Sequence, residues 1–107
     1  MSAPVPTLVT YTPKPGKEKE LLALIEKHWP ALDKAGLVTK EKARVWRAHD
    51  KRKGHTYFVE FMTWKDGEAS SLAHQLPEVM AVWEPMGPIM EGMSIAQIEE
   101  LKMPFAE

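Results

Sequence analysis

The chain has 107 residues, of which 44% are hydrophobic and 27% charged, the composition of one globular domain, too apolar for disorder and too interrupted by charge for a membrane span. Cysteine is absent, which excludes disulfides, thiolate metal sites, iron-sulfur clusters and cysteine nucleophiles. The net charge of -1 conceals +6 over residues 1–65 and -7 over residues 66–107, a separation that suggests complementary faces within the fold or between subunits and argues against charge-driven binding of nucleic acid.

Met1 to Pro6 has neither a basic start nor a long apolar run, so no signal peptide or membrane anchor is expected, and the expected compartment is cytoplasmic. The β-branched run Val5 to Thr12 predicts a strand, ended by Pro13-Lys14-Pro15-Gly16. From Lys17 to Ala35, Leu21, Leu24, Ile25, Trp29 and Leu32 recur at helical spacing, and Gly36 supplies a stop. Pro30 lies inside this pattern, where its missing N–H predicts a kink near His28 and Trp29.

Two β-prone runs, Ala43 to Asp50 and Thr56 to Trp64, flank Lys51-Arg52-Lys53-Gly54 and predict a hairpin with a charged tip. The second run places Phe58, Glu60, Met62 and Trp64 on one face and Tyr57, Val59 and Phe61 on the other, so both faces need a cover. Lys65 to Gln75 reads as a short helix with Asp66 as N-cap. Leu76-Pro77 then opens a second helix bearing Val79, Val82, Trp83 and Met86, and Met93 to Ile98 reads as a last strand.

The order strand, helix, strand, strand, two helices, strand predicts an α+β ferredoxin-like βαββααβ domain, its four-stranded antiparallel sheet carrying helices on one face. Residues 1–107 form one domain in this reading, with a core of about 5–98 and a tail over 99–107. Because the third strand is apolar on both faces, the bare side of the sheet is expected to pack on a second copy, giving a homodimer.

These segments resemble a known group. The turn Lys14-Pro15-Gly16-Lys17 entering a helix, the strand end Phe61-Met62-Thr63-Trp64-Lys65, and Ala69, Ala73 and His74 leading to Leu76-Pro77-Glu78-Val79 are similar to the dimeric α+β barrel superfamily, nearest the antibiotic biosynthesis monooxygenase type. Tyr11 through His28-Trp29-Pro30 carries a weaker likeness to NIPSNAP-type domains. The resemblance implies two sheets packed face to face and a pocket in each subunit for a small apolar or aromatic molecule. Some relatives are cofactor-free oxygenases of polycyclic phenols, and others degrade haem using a first-strand asparagine and a helical histidine. This chain has no asparagine, and the histidine position falls near Trp83 or Glu84, so no haem or other cofactor is expected.

The candidate chemistry rests on a few side chains. His28 reads as a general base in a pocket or as a partly exposed helix histidine. Arg47 and His49 share a strand face with Val45; turned inward they would polarise a phenolate or enolate oxygen, and turned outward they are solvated. His74, on the helix over the pocket mouth, reads as a proton carrier or as a helix C-terminal cation. Glu60, between Phe58 and Met62, needs a partner across the hairpin such as Arg44 or Arg47, or has a pKa suited to acid-base work. Trp29, Met62, Trp64, Met80, Trp83, Met86 and Met90 would wall a pocket for a flat guest. The histidines, with His55 at the hairpin, lack metal-ligand spacing, so no metal is expected, and the basic hairpin lacks a nucleic-acid motif. Two functions follow: a cofactor-independent monooxygenase of small aromatic or polyketide-like compounds, or a non-catalytic ligand-binding or stress-associated dimeric barrel.

Overall fold

A computed structural model describes residues 3–105. The elements are β1 (Val5–Pro13), α1 (Glu18–Lys34), β2 (Arg44–Asp50), β3 (His55–Trp64), α2 (Ala69–Ala73), α3 (Pro77–Met86), a single 3-10 turn (Gly87–Ile89) and β4 (Met90–Gln97). The four strands form one antiparallel sheet in the order β2-β3-β1-β4, so the fold is the expected ferredoxin-like α+β arrangement.

Local chemistry accounts for most boundaries. α1 ends in a Schellman motif: Gly36, at φ 74°, donates its N–H to the Asp33 carbonyl and Leu37 donates to Leu32, both at 3.0 Å. The helix continues through Pro30 as one element, because both Pro30 and Glu26, whose carbonyl loses its partner, face solvent. At the hairpin, Asp50 Oδ1 accepts the N–H groups of Arg52 and Lys53 at 2.9 Å, and Gly54 at φ 70° closes the turn onto the Asp50 carbonyl.

Two elements differ from the sequence pattern. α2 is confined to Ala69–Ala73: the Lys65 N–H remains bonded to the Leu37 carbonyl, and Asp66 caps the turn before the helix, its Oδ1 accepting from Glu68 N–H at 2.9 Å. β4 begins at Met90, ahead of the expected Met93, because a bulge between Thr12 and Pro13 lets Met90 pair with Pro13.

The helices lie on one side of the sheet, and the molecule is a slab of 44 × 42 × 17 Å. Odd positions of β1 and even positions of β3 face the helices. Val9, Tyr11 and Phe58 join Leu21, Ile25, Val82 and Met86 in one apolar cluster, and Met62 and Trp64 join Leu32, Leu37, Ala69, Ala73 and Val79 in another. Trp83, half-buried on α3, packs against both clusters. The opposite sheet face carries Leu8, Tyr57, Val59 and Phe61, all half-buried, and Trp46, 44% exposed under the Arg44 guanidinium at 4.8 Å. No helix among the described residues is long and apolar enough to cross a membrane.

Candidate functional site

The site forms where α1 crosses the central strand pair. Tyr11 on β1 and Glu60 on β3 both face the helices, and His28 occupies the same apolar stripe of α1 as Leu21, Ile25 and Leu32. All three are buried: Tyr11 is 2% exposed, His28 3% and Glu60 0%. The Tyr11 hydroxyl donates to Glu60 Oε1 at 2.5 Å, and His28 Nδ1 lies 2.9 and 3.2 Å from the two carboxylate oxygens. Tyr11 Oη is also 3.4 Å from His28 Nδ1, so the three groups close into a triangle.

This geometry corrects two readings of the sequence. His28 is not a partly exposed helix histidine, because its position on α1 carries it under α3, with its ring centroid 5.9 Å from that of Trp83. Glu60 is not paired across the hairpin. Arg44 sits opposite Phe61 on the bare face, and Arg47, opposite Phe58, bonds to Glu18 Oε1 at 3.3 Å.

The electrostatics fix the roles. A buried carboxylate costs several kcal/mol in lost hydration, about what charge-assisted hydrogen bonds must restore. Burial first, then the charge of Glu60 and the hydrogen bond to it, push the Tyr11 hydroxyl far above its ordinary pKa of 10, so it remains a donor. A carboxylate facing Nδ1 holds the imidazole proton there, which leaves the lone pair on Nε2. Nε2 is buried without a protein partner, and His28 lines a cavity.

That cavity, about 350 Å³, lies between the sheet and the helices. Such a volume suits a small organic guest. Its walls are predominantly apolar: Val5, Val9, Met62 and Trp64 from the sheet, Trp83 and Met86 from α3, and Met90, Met93 and Ile95 from β4. Asp66, Ser70, His74 and Gln97 supply polar groups in the lining. His74 is exposed at the C-cap of α2; its Nδ1 donates to the Ser70 carbonyl at 2.8 Å and its ring stands edge-on to Trp83 at 4.8 Å.

Among the side chains singled out from sequence, the cavity gathers His28, His74, Met62, Trp64, Trp83, Met86 and Met90. Glu60 stands behind His28. Trp29 packs into the second apolar cluster, and neither it nor Met80 lines the cavity. Arg47 and His49 are not at this site, because the edge strand β2 carries them beyond α1. Arg47 instead borders a separate hollow with Leu22, Ile25 and Phe58, its guanidinium 5.6 Å from the Phe58 ring centroid. His49 is exposed, with Nδ1 3.2 Å from Thr56 Oγ1, and the His55 ring lies 5.9 Å from that of Tyr57, tilted by 57°. Among the described residues no group of three or more His, Cys, Asp or Glu could hold a metal ion.

Sequence reasoning missed the role of Tyr11, although its period-two placement with Thr7 and Val9 already put it on the face of Glu60 once β1 and β3 were paired. It also missed Met93 and Ile95, because a short last strand gives no sign of which face meets a cavity.

Solved structures share this fold over nearly the whole chain. A variant of SnoaB, a cofactor-independent oxygenase of Streptomyces nogalater, matches with a TM-score of 0.67 at 10% identity, covering 98% of this chain and 100% of its own. An antibiotic biosynthesis monooxygenase matches at 0.69 and 11% identity, over 92% and 99% of the two chains. Rv0793 of Mycobacterium tuberculosis matches at 0.68 and 14%, over 95% and 99%. No family model and no curated protein matches the sequence. At these identities the likeness establishes the fold.

Proposed function

We propose that this protein is a cofactor-independent oxygenase of small phenolic or enolic aromatics, working as a cytoplasmic homodimer, with His28 as its general base. The observation that carries the reading is His28 itself: the residue lines the cavity, its buried Nε2 has no protein partner, and Glu60 holds the opposite ring nitrogen. The match to a cofactor-independent oxygenase in fold is consistent with it.

In this mechanism Nε2 removes a proton from the substrate hydroxyl or from the carbon acid of its keto form, and Glu60 stabilises the imidazolium so formed. The electron-rich anion reduces dioxygen and forms a C–O bond. The peroxide takes up the proton, its O–O bond breaks, and one oxygen leaves as water. The sum is AH2 + O2 → AO + H2O, with the substrate carbon oxidised and dioxygen reduced. Met62, Trp64, Trp83 and Met86 exclude solvent from the anion and the peroxide.

The test is dioxygen uptake by chelator-treated protein with a panel of hydroxylated aromatics. Uptake that falls about 10²- to 10⁴-fold in His28→Gln is the expected result. Binding of these compounds without uptake would replace the enzyme with the ligand-binding alternative.

A further inference from the structure

The cavity holds a second imidazole that the proposed proton transfer leaves idle. His74 is anchored as His28 is: its Nδ1–H is committed to a fixed oxygen, here the Ser70 carbonyl at 2.8 Å, so the neutral ring has its only acceptor at Nε2. Both imidazoles pack on the indole of Trp83, and both line the same cavity. Their centroids can stand no farther apart than the two ring contacts laid end to end, 5.9 and 4.8 Å. One ring is buried at 3% exposure and the other is exposed, so the two imidazoles lie at different depths beside the cavity. The cavity walls include Met62, Trp83 and Met86, which offer no strong acceptor, together with the polar side chains of Asp66, Ser70 and Gln97.

We infer that His74 is a specificity-determining residue, which selects planar aromatics bearing a hydrogen-bond donor at each end, one for His28 and one for His74. This rests on the cavity being the aromatic site proposed above, and it goes further by requiring a second donor that proton abstraction does not need. A bicyclic diol meets the requirement in its chemistry, with one hydroxyl donor on each ring.

The experiment compares a naphthalenediol carrying one hydroxyl on each ring with its monomethyl ether, by anaerobic calorimetry. The ether keeps the rings and one hydroxyl and replaces the second donor with an acceptor. The wild type should bind the diol about tenfold more tightly, well above the statistical factor of two from the diol's equivalent ends. In His74→Phe, which keeps a ring against Trp83, the preference should shrink to about that factor of two. In His74→Gln, whose side-chain carbonyl accepts, part of it should return. Because His74 is exposed, both variants should melt near the wild-type temperature. A tenfold preference that survives in His74→Phe, or a wild type without preference, overturns the inference. Failure of both compounds to bind overturns it together with the aromatic-site reading. A normal preference without dioxygen uptake leaves the role of His74 standing and removes the oxygenase.

Discussion

The carboxylate of Glu60 and the imidazole of His28 meet at 2.9 Å, although 32 residues separate them in sequence and they lie on different layers of the fold. Tyr11 donates to the same oxygen, so the carboxylate holds both side chains at one point. In the proposed mechanism Glu60 and Tyr11 are therefore positioning residues, and His28 is the group assigned to meet the substrate.

Glu60→Gln should keep the fold and lose the chemistry. An amide presents N–H as readily as C=O to Nδ1, which releases the proton to Nε2, and it gives no charge to stabilise imidazolium. Dioxygen uptake should fall about 10²-fold or more. Glu60→Ala, which strands both the tyrosine hydroxyl and His28 Nδ1, should cost about 3 kcal/mol by urea unfolding. Wild-type turnover in the glutamine variant would remove Glu60 from the mechanism.

Tyr11 gives the protein an alkaline limit. Its pKa is raised in the folded state, so the folded chain retains a proton that the unfolded chain releases above pH about 10. The stability tied to this proton is complete below that pH and declines as pH rises above it. Tyr11→Phe should cost about 1 kcal/mol at neutral pH and show a shallower alkaline decline. Parallel unfolding curves from pH about 9 to 11 would contradict this.

Trp83 touches both apolar clusters and both cavity histidines. Trp83→Ala should destabilise by about 2 kcal/mol, below the usual cost of truncating a fully buried tryptophan because this one is half-buried. Naphthol binding should weaken at least tenfold. A variant that loses stability and keeps its affinity would show that the indole is only structural.

The bare sheet face should be the dimer contact. Val59→Arg places a charge among Leu8, Trp46 and Phe61, a cost paid only if a second copy covers them. Native mass spectrometry should show a dimer for the wild type and a monomer for this variant, with the helical spectrum unchanged. A wild-type monomer at micromolar concentration would rule out the paired barrel.

Element order was legible because the periodicities are strong: Leu21, Ile25 and Leu32 repeat as a helix, and Phe58, Met62 and Trp64 alternate as a strand. The sheet face of Glu60 was legible for the same reason. Its partner was not, because period-two alternation tells which residues share a face and says nothing of what the opposite layer lowers onto it. Arg47 shares that face and has the right charge, yet it stands at the edge, where Glu18 reaches it first. Tyr11 looked like an ordinary strand aromatic until the β1–β3 register set its hydroxyl beside the carboxylate.

The strand order has a consequence for how a guest enters. Tyr11 and Glu60 belong to the central strand pair, whereas β4, exposed at nearly every position, supplies Met90, Met93, Ile95 and Gln97 to the cavity lining. An edge strand with so little burial opens at lower free energy than the strands beside it. Amide exchange should therefore be faster in β4 than in β1 and β3. Under the proposed function, loosening of this edge would admit or release a guest while the Tyr11–Glu60 pair stays in place, so that guest exchange and proton handling would fall to separate parts of the sheet.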